Sequence, residues 1–489
     1  MIDWLGRHTK SRELPGYPLF VGLSAITLLS IFVGIAADLP VLMVLPFLAL
    51  GAYLTILDFR IVFFFLLAAI PLSTELMLPG GFGLDFPDEP LMLLLTGVFM
   101  LYAARHANRL SGAFFRHPIT ILLGLHFLWL MATAITSSEQ VVSIKFLLAK
   151  VWYITAFYLM AGQILRTDRD MRRFLWWVLI PMLITVLWVL GRHAGYGFSF
   201  ADVNRVLNPF YRNHVAYACI LALFVPYVWF GRFWYPKGSW QRNFLIGAFL
   251  LLLIAIQLSY TRAAYISLIG AVGAYFIIRW KLVKVVLLAG LIGALGFAGS
   301  MWQQSKYLEY APDFDRTVTH YEFDNLIEAT AKGEDISTME RVYRWVAGLH
   351  MISEKPVFGF GPGNFYNFYH SYTVTSFETY VSDNPEKSGI HSYYLMTVVE
   401  QGFPGLLFFL ALSFFVLIRA EQLYHLAPDA WHQRQIMLFV LSYIVILILC
   451  LINDLVETDK VGSFFFINMA MIVNMDIRLK RMLQQSEGT

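Results

Sequence analysis

Arg262, Arg341 and His391 are the residues of this 489-residue chain whose types and settings could do chemistry together. Arg262 stands in Ser259-Tyr260-Thr261-Arg262-Ala263-Ala264-Tyr265, where one apolar run ends and the next begins. An ionisable group in such a place is a functional candidate by default, with a snorkelling arginine as the plain alternative. Arg341 opens Arg341-Val342-Tyr343-Arg344-Trp345, and His391 heads Gly389-Ile390-His391-Ser392-Tyr393, where a long polar stretch returns to apolar sequence. A solvated arginine and a capping histidine are the ordinary readings of those two taken singly. Taken together they suit one reaction. A guanidinium fork grips phosphate in two places at once. A neutral imidazole accepts a proton from a hydroxyl, and neighbouring arginines disfavour its charged form. The set fits a hydroxyl attacking carbon while a phosphate or pyrophosphate leaves, with positive charge aimed at the departing oxygen. No metal-ligand cluster of plausible spacing accompanies them.

The elements that must position these residues are membrane helices. The chain is 58% hydrophobic and 14% charged, with mean hydropathy +0.62, whereas a soluble domain carries about 25% charged residues. The net charge of +3 gives no argument for nucleic acid. Cys219 and Cys450 both fall in apolar runs, which excludes a disulfide framework or a zinc site. The first apolar run follows Arg7, Lys10 and Arg12 without a small-residue cleavage site, and reads as a retained helix. Fourteen spans are expected: 19–36, 39–57, 61–78, 91–104, 118–136, 143–165, 174–192, 214–230, 243–260, 263–278, 282–299, 391–418, 435–452 and 461–475. The fold class is therefore all-α and polytopic, with about 12–14 transmembrane helices.

Lysine and arginine in the loops give the orientation. With the N-terminus in the cytoplasm, inside loops collect 22 of the 36 basic residues, and the short outer loops 37–38, 79–90 and 137–142 have none. Both termini are then cytoplasmic. Residues 193–213 and 300–390 face outward, the latter with thirteen acidic and seven basic side chains. Within it, Val342, Trp345, Val346, Leu349 and Ile352 recur at helical spacing, which predicts an amphipathic helix over 340–355, ended by Pro356. That helix is expected to lie along the outer membrane surface with Arg341 at its waterline and Arg344 further round its polar face.

These residues resemble a known family. His391-Ser392, nine residues, then Gly402-Phe403-Pro404-Gly405 is similar to the His-[Asn/Ser/Gln]-x9-Gly-x-x-[Gly/Thr/Tyr] signature of O-antigen ligases. Arg262 with Ile266 resembles that family's Arg-x-x-x-Leu element, with isoleucine for leucine. Arg341-x-x-x-Trp345, followed by Lys355-Pro356-Val357-Phe358-Gly359-Phe360-Gly361-Pro362-Gly363-Asn364-Phe365, resembles the loop shared by O-antigen ligases and related polymerases. The resemblance covers roughly residues 205–420. It implies a metal-independent GT-C type glycosyltransferase of the bacterial inner membrane, active at its periplasmic face. The implied donor is an undecaprenyl-pyrophosphate-linked glycan, and the implied acceptor is a sugar hydroxyl of lipid A–core or another glycan. On this resemblance His391 is the general base, and Arg262 and Arg341 grip the pyrophosphate.

Arg212, Arg344, Lys150, Ser392, Gly402 and Gly405 complete the substrate-contacting candidates. Lys150 is expected to face inward in its span and Lys145 to snorkel. Gly359, Gly361 and Gly363 read as a turn, since no Lys-Ser/Thr follows to make a phosphate loop. Asn453, Asp454, Glu457 and Asp459 read as a short outer loop, their spacing suiting no metal well. Four regions follow: N-terminal transmembrane helices over 1–204, a ligase-like catalytic region over 205–420 that includes a mostly helical periplasmic loop, C-terminal helices over 421–475 and a cytoplasmic tail over 476–489. The expected chemistry is a single inverting displacement without cofactor, as no convincing carboxylate pair suits a covalent glycosyl intermediate. A polymerase using the same donor and a transporter or flippase are the rival readings. Special charges at one face, away from the bilayer midplane, argue against transport.

Overall fold

A computed structural model describes residues 45–78, 82–302, 336–374 and 388–487, with isolated positions within 22–33 and 382–384. Most of the expected span 19–36, residues 303–335 of the expected outer loop, and the N-terminal basic residues lie outside the described residues. The protein is an all-α polytopic membrane protein, and ten of its described helices are long and apolar enough to cross a membrane.

The described helices in chain order are α1 (Leu45–Leu72), α2 (Asp88–Arg105), α3 (Pro118–Ile135), α4 (Gln140–Ile164), α5 (Asp168–Ala194), α6 (His214–Gly231) and α7 (Trp240–Gln257). They continue with α8 (Arg262–Arg279), α9 (Val283–Trp302), α10 (Ile336–Glu354), α11 (Tyr393–Leu426), α12 (Ala430–Leu449) and α13 (Asp459–Glu487). The ten apolar helices are α3–α9 and α11–α13. The expected spans 39–57 and 61–78 share α1, which is broken at Asp58. The second of these spans is too long. After Leu72 the chain forms a hairpin, β1 (Thr74–Leu78) and β2 (Phe82–Phe86), paired antiparallel from Thr74↔Phe86 to Leu78↔Phe82. The Pro79-Gly80-Gly81 sequence between two short β-prone runs is a hairpin signal, and a count of apolar residues passes over it. At the other terminus the expected tail is a continuation of α13 as far as Glu487.

Position in the bundle follows what each helix can bury. In α13, 83% of the apolar window is buried, against 6% in α9, so among the described residues α13 is central and α9 peripheral. The interior is joined by polar side chains where apolar packing alone gives little specificity between helices in lipid. Tyr227 of α6 donates to Asn468 of α13, and Asn468 Nδ2 donates to Ser442 Oγ of α12 at 3.0 Å.

Amphipathic α10 departs from its expected setting. Its apolar face packs against protein, with Tyr343, Val346, Ala347, Met351 and Ile352 buried. Gly348 lies so close to Ile390 and Val399 that a Cβ there would meet Ile390 Cδ1 at 2.7 Å. Docking on α11 satisfies the stripe that could otherwise have been buried in a lipid surface.

Candidate active site

His391 sits in the two-residue approach to α11, with φ 55°. Left-handed backbone is uncommon for a residue with a Cβ and is retained where the surroundings over-determine it. The surroundings here come from α10. Arg344 Nη1 donates to the carbonyl of Gly389 at 3.1 Å, and Trp345 Nε1 donates to that of Ile390 at 3.0 Å. Arg344 also pairs with Glu340 at 3.3 Å, whose other oxygen accepts from Ser382 Oγ at 2.7 Å. From below, Tyr393 N donates to the carbonyls of Cys450 and Asn453, at 2.9 and 3.1 Å. The turn carrying the histidine is therefore held on two sides.

Burial pushes the His391 imidazole down to about 3, and the Arg341 and Arg344 guanidiniums add to that shift. Burial is the larger cause, whereas the sequence reading rested on the arginines alone. Arg341, half-buried on α10, lies within electrostatic reach of His391, of His214 at the start of α6 and of Asp454. Thr261 Oγ1 donates to the carbonyl of His214 at 3.3 Å, which ties the start of α8, and with it Arg262, to the start of α6. The residue before this tie, Tyr260, also has left-handed φ, 54°. Three helix N-termini, those of α6, α8 and α11, thus share one end of the bundle with Arg262, Arg341 and His391. Each terminus presents backbone N–H groups and the positive end of a helix dipole, which favours an anion.

The remaining candidates are placed differently. Lys150 is buried and its ammonium is 2.8 Å from Glu457; Lys145 is exposed. Arg212 is exposed and lies 3.7 Å from Glu75 of the β1–β2 hairpin. Ser392 is buried as the N-cap of α11, with no side-chain capping bond. Gly402 interrupts α11 with φ 68°, and a Cβ there would meet the Val357 carbonyl oxygen at 1.9 Å. The interruption frees carbonyls that the 355–365 loop uses: Phe360 N and Gly361 N donate to Val399 and Glu400 at 2.9 Å, and Phe403 N donates to Pro356 at 2.8 Å. Gly405, three residues on, packs against Gln401 of its own helix.

The loop rich in glycine is thereby a wedge between α11 and the α3–α4 turn. Ser143 Oγ donates to the Pro362 carbonyl at 2.8 Å, and Asn364 Nδ2 to Ser137 Oγ at 2.7 Å. Lys355 Nζ reaches Ser138 Oγ at 2.8 Å. Phe365 N donates at 3.2 Å to Glu400 Oε1, on a side chain that is buried. Sequence reasoning missed Glu400 and read Asp454 and Glu457 only as parts of a short outer loop. Burial and the nearby Glu457 raise Asp454, while the charges of Arg344 and Arg341 draw it back down. The carboxylate of Asp454 packs against Gly389, where a Cβ would lie 2.0 Å from Oδ2. An acid opposite a glycine 65 positions earlier in the chain leaves no local signal.

Fold and site together define a polytopic membrane protein with a cationic cluster around a buried imidazole at one end of its helices. Residues 246–410 match the family model Wzy_C, described as O-antigen ligase. The matched segment is similar to that family; it runs from α7 through the first half of α11 and contains Arg262, Arg341 and His391. No curated protein matches the chain.

Proposed function

We propose that this protein transfers a glycan from undecaprenyl pyrophosphate to a sugar hydroxyl at the periplasmic face of the inner membrane, most specifically O-antigen to lipid A–core. The observation that carries the reading is the pressure of Arg341 and Arg344 on a buried, neutral His391 beside three helix N-termini. A neutral imidazole can take a proton and an imidazolium cannot.

In this mechanism the acceptor hydroxyl oxygen attacks the anomeric carbon and its proton passes to His391. The carbon–oxygen bond to the pyrophosphate breaks, and the electron pair leaves on that oxygen. Arg262 and Arg341 hold the resulting charge, which is the part a divalent ion plays in other phosphate-leaving reactions. A single displacement inverts the anomeric centre. The free-enzyme pKa of about 3 makes His391 a weak base. A bound diphosphate offsets the two guanidinium charges and raises it towards the range where proton transfer is efficient, so the donor switches on the base. Arg344, committed to Glu340 and Gly389, positions the histidine turn.

Purified full-length protein, a labelled lipid-linked glycan and a lipid A–core acceptor test the proposal. Polymer on the acceptor with release of the pyrophosphate carrier is the expected result. Donor lengthening without the acceptor would make the protein a polymerase, and no glycan bond at all would overturn the assignment.

A further inference from the structure

We infer that Asp85, Glu89 and Asp459 form a binding site for a hard divalent cation such as Ca²⁺ or Mg²⁺, clamping the β1–β2 hairpin to the start of α13. One carboxylate oxygen from each of the three lies within 4.8 Å of the other two. They come from the end of β2, the first turn of α2 and the first residue of α13, two of them 370 and more positions from the third. A helix dipole accounts for an acid in the first turn of α2 or of α13 taken singly. It does not account for three carboxylates brought together from separate elements, because like charges at such range repel.

Two further observations point to a missing positive partner. Asp459 is 6% exposed, and its Oδ2 has no hydrogen-bond partner among the described residues. Asp88, next to Glu89, is 0% exposed, and its Oδ2 is likewise without one. Buried carboxylate oxygens are ordinarily satisfied by donors or by metal. Lys460 interacts electrostatically with Asp85, Asp88 and Asp459, but its ammonium hydrogen-bonds to neutral oxygens: the Ile70 carbonyl at 2.8 Å, the Ser73 carbonyl at 3.0 Å and Ser73 Oγ at 2.7 Å. Among the described residues no lysine or arginine forms an ion pair with Asp85, Asp88, Glu89 or Asp459. An all-oxygen donor set selects calcium or magnesium over softer metals. Glu89 is already oriented, since its Oε2 accepts from Asp85 N at 3.2 Å.

This inference does not depend on the transfer reaction. It is tested on full-length protein in detergent, stripped with EDTA and then titrated separately with CaCl₂ and MgCl₂. Radiolabelled calcium counts the ions bound, and thermal melting reads the clamp. The expected result is one saturable ion per chain at about millimolar or lower concentration, with a melting temperature that rises as the site fills. Asp459→Asn should weaken binding at least about tenfold, abolish the metal-dependent rise and melt no lower than the native protein in EDTA, because repulsion is relieved. Glu89→Gln should behave in the same way and serves if the first variant does not fold. Asp429→Asn, at an exposed acid elsewhere, should leave binding unchanged. Absence of saturable binding by the native chain, or unaltered binding by Asp459→Asn and Glu89→Gln, overturns the proposal.

Discussion

The two ends of the helical bundle are both rich in arginine, and they differ in what the guanidinium groups face. At the end formed by the α4–α5, α7, α11–α12 and α13 segments, cations are neutralised locally or laid on aromatic rings. Asp476, 1% exposed, accepts from Arg419 Nε at 2.6 Å and Nη2 at 2.7 Å, contacts His117 Nε2 at 2.9 Å and lies 3.2 Å from Lys480. Asp168 holds Arg478 at 2.6 Å. Arg232, Arg242 and Arg434 all face the ring of Phe233, and Arg172 lies over Trp431. At the other end, Arg341 and Arg344 bear on an imidazole that burial has already made hard to protonate. Paired charge at the first end fastens helices. At the second end Arg341 and Arg344, the latter paired with Glu340, are held by α10 beside the histidine, an arrangement suited to an anionic ligand. The comparison teaches that the number of arginines carries little information and the identity of what faces them carries most of it.

The sharpest way to break this contrast is to substitute the imidazole. His391→Gln should lower the transfer rate by about 10²- to 10⁴-fold, the usual worth of a general base, with melting temperature nearly unchanged. Retention of full activity in the reconstituted assay would remove His391 from the chemistry. At the opposite end, Asp476→Ala should cost about 3–5 kcal/mol of stability by stranding the largely buried Arg419, read as a lowered denaturation midpoint. The activity of the molecules that remain folded should stay close to native. A selective loss of rate there would mean the two ends are not functionally distinct.

Arg341→Gln should reduce the rate by about tenfold to a hundredfold, the range for one charge-assisted contact of about 1.5–3 kcal/mol. It should also raise the pKa of His391, visible by NMR of a histidine-labelled sample, because one of the charges that lowers it is gone. An unmoved histidine would mean that the arginine acts elsewhere. Gly402→Ala forces a side chain onto the Val357 carbonyl in a left-handed conformation; strain of at least about 1–3 kcal/mol should appear as lost stability and as protease sensitivity in the 355–365 loop.

A further effect is linked to pH. His391 has its folded pKa depressed to about 3, against about 6.5 in an unfolded chain. Between those values the unfolded state binds more protons, so this residue's share of stability is present above pH 6.5 and is lost as pH falls towards 3. Melting curves of the native protein should therefore drop more steeply with acid than those of His391→Gln. Parallel curves would show that the imidazole is better solvated than its surroundings indicate.

Local sequence properties were enough to define a large part of this protein. Apolar runs of membrane length gave most of the helices, because backbone polar groups in lipid leave few alternatives. The 3.6-residue period and Pro356 gave α10, found at Ile336–Glu354. Residue types gave Arg262, Arg341 and His391 as candidates, since guanidinium and imidazole have chemistry that does not depend on fold. What lay across the chain was decided by tertiary structure alone. Periodicity gave α10 a face but not the partner that covers it, and Arg344 became a clamp on Gly389 only once α10 docked on α11. Gly402 could be read as a bend, yet its need to be glycine comes from a carbonyl 45 residues earlier in the chain. Lys150 against Glu457, and Asp459 beside Asp85 and Glu89, join residues more than three hundred positions apart. Hydropathy and helical period are properties of neighbours in sequence, whereas desolvation and Coulomb interaction act between neighbours in space, and only packing determines which residues those are.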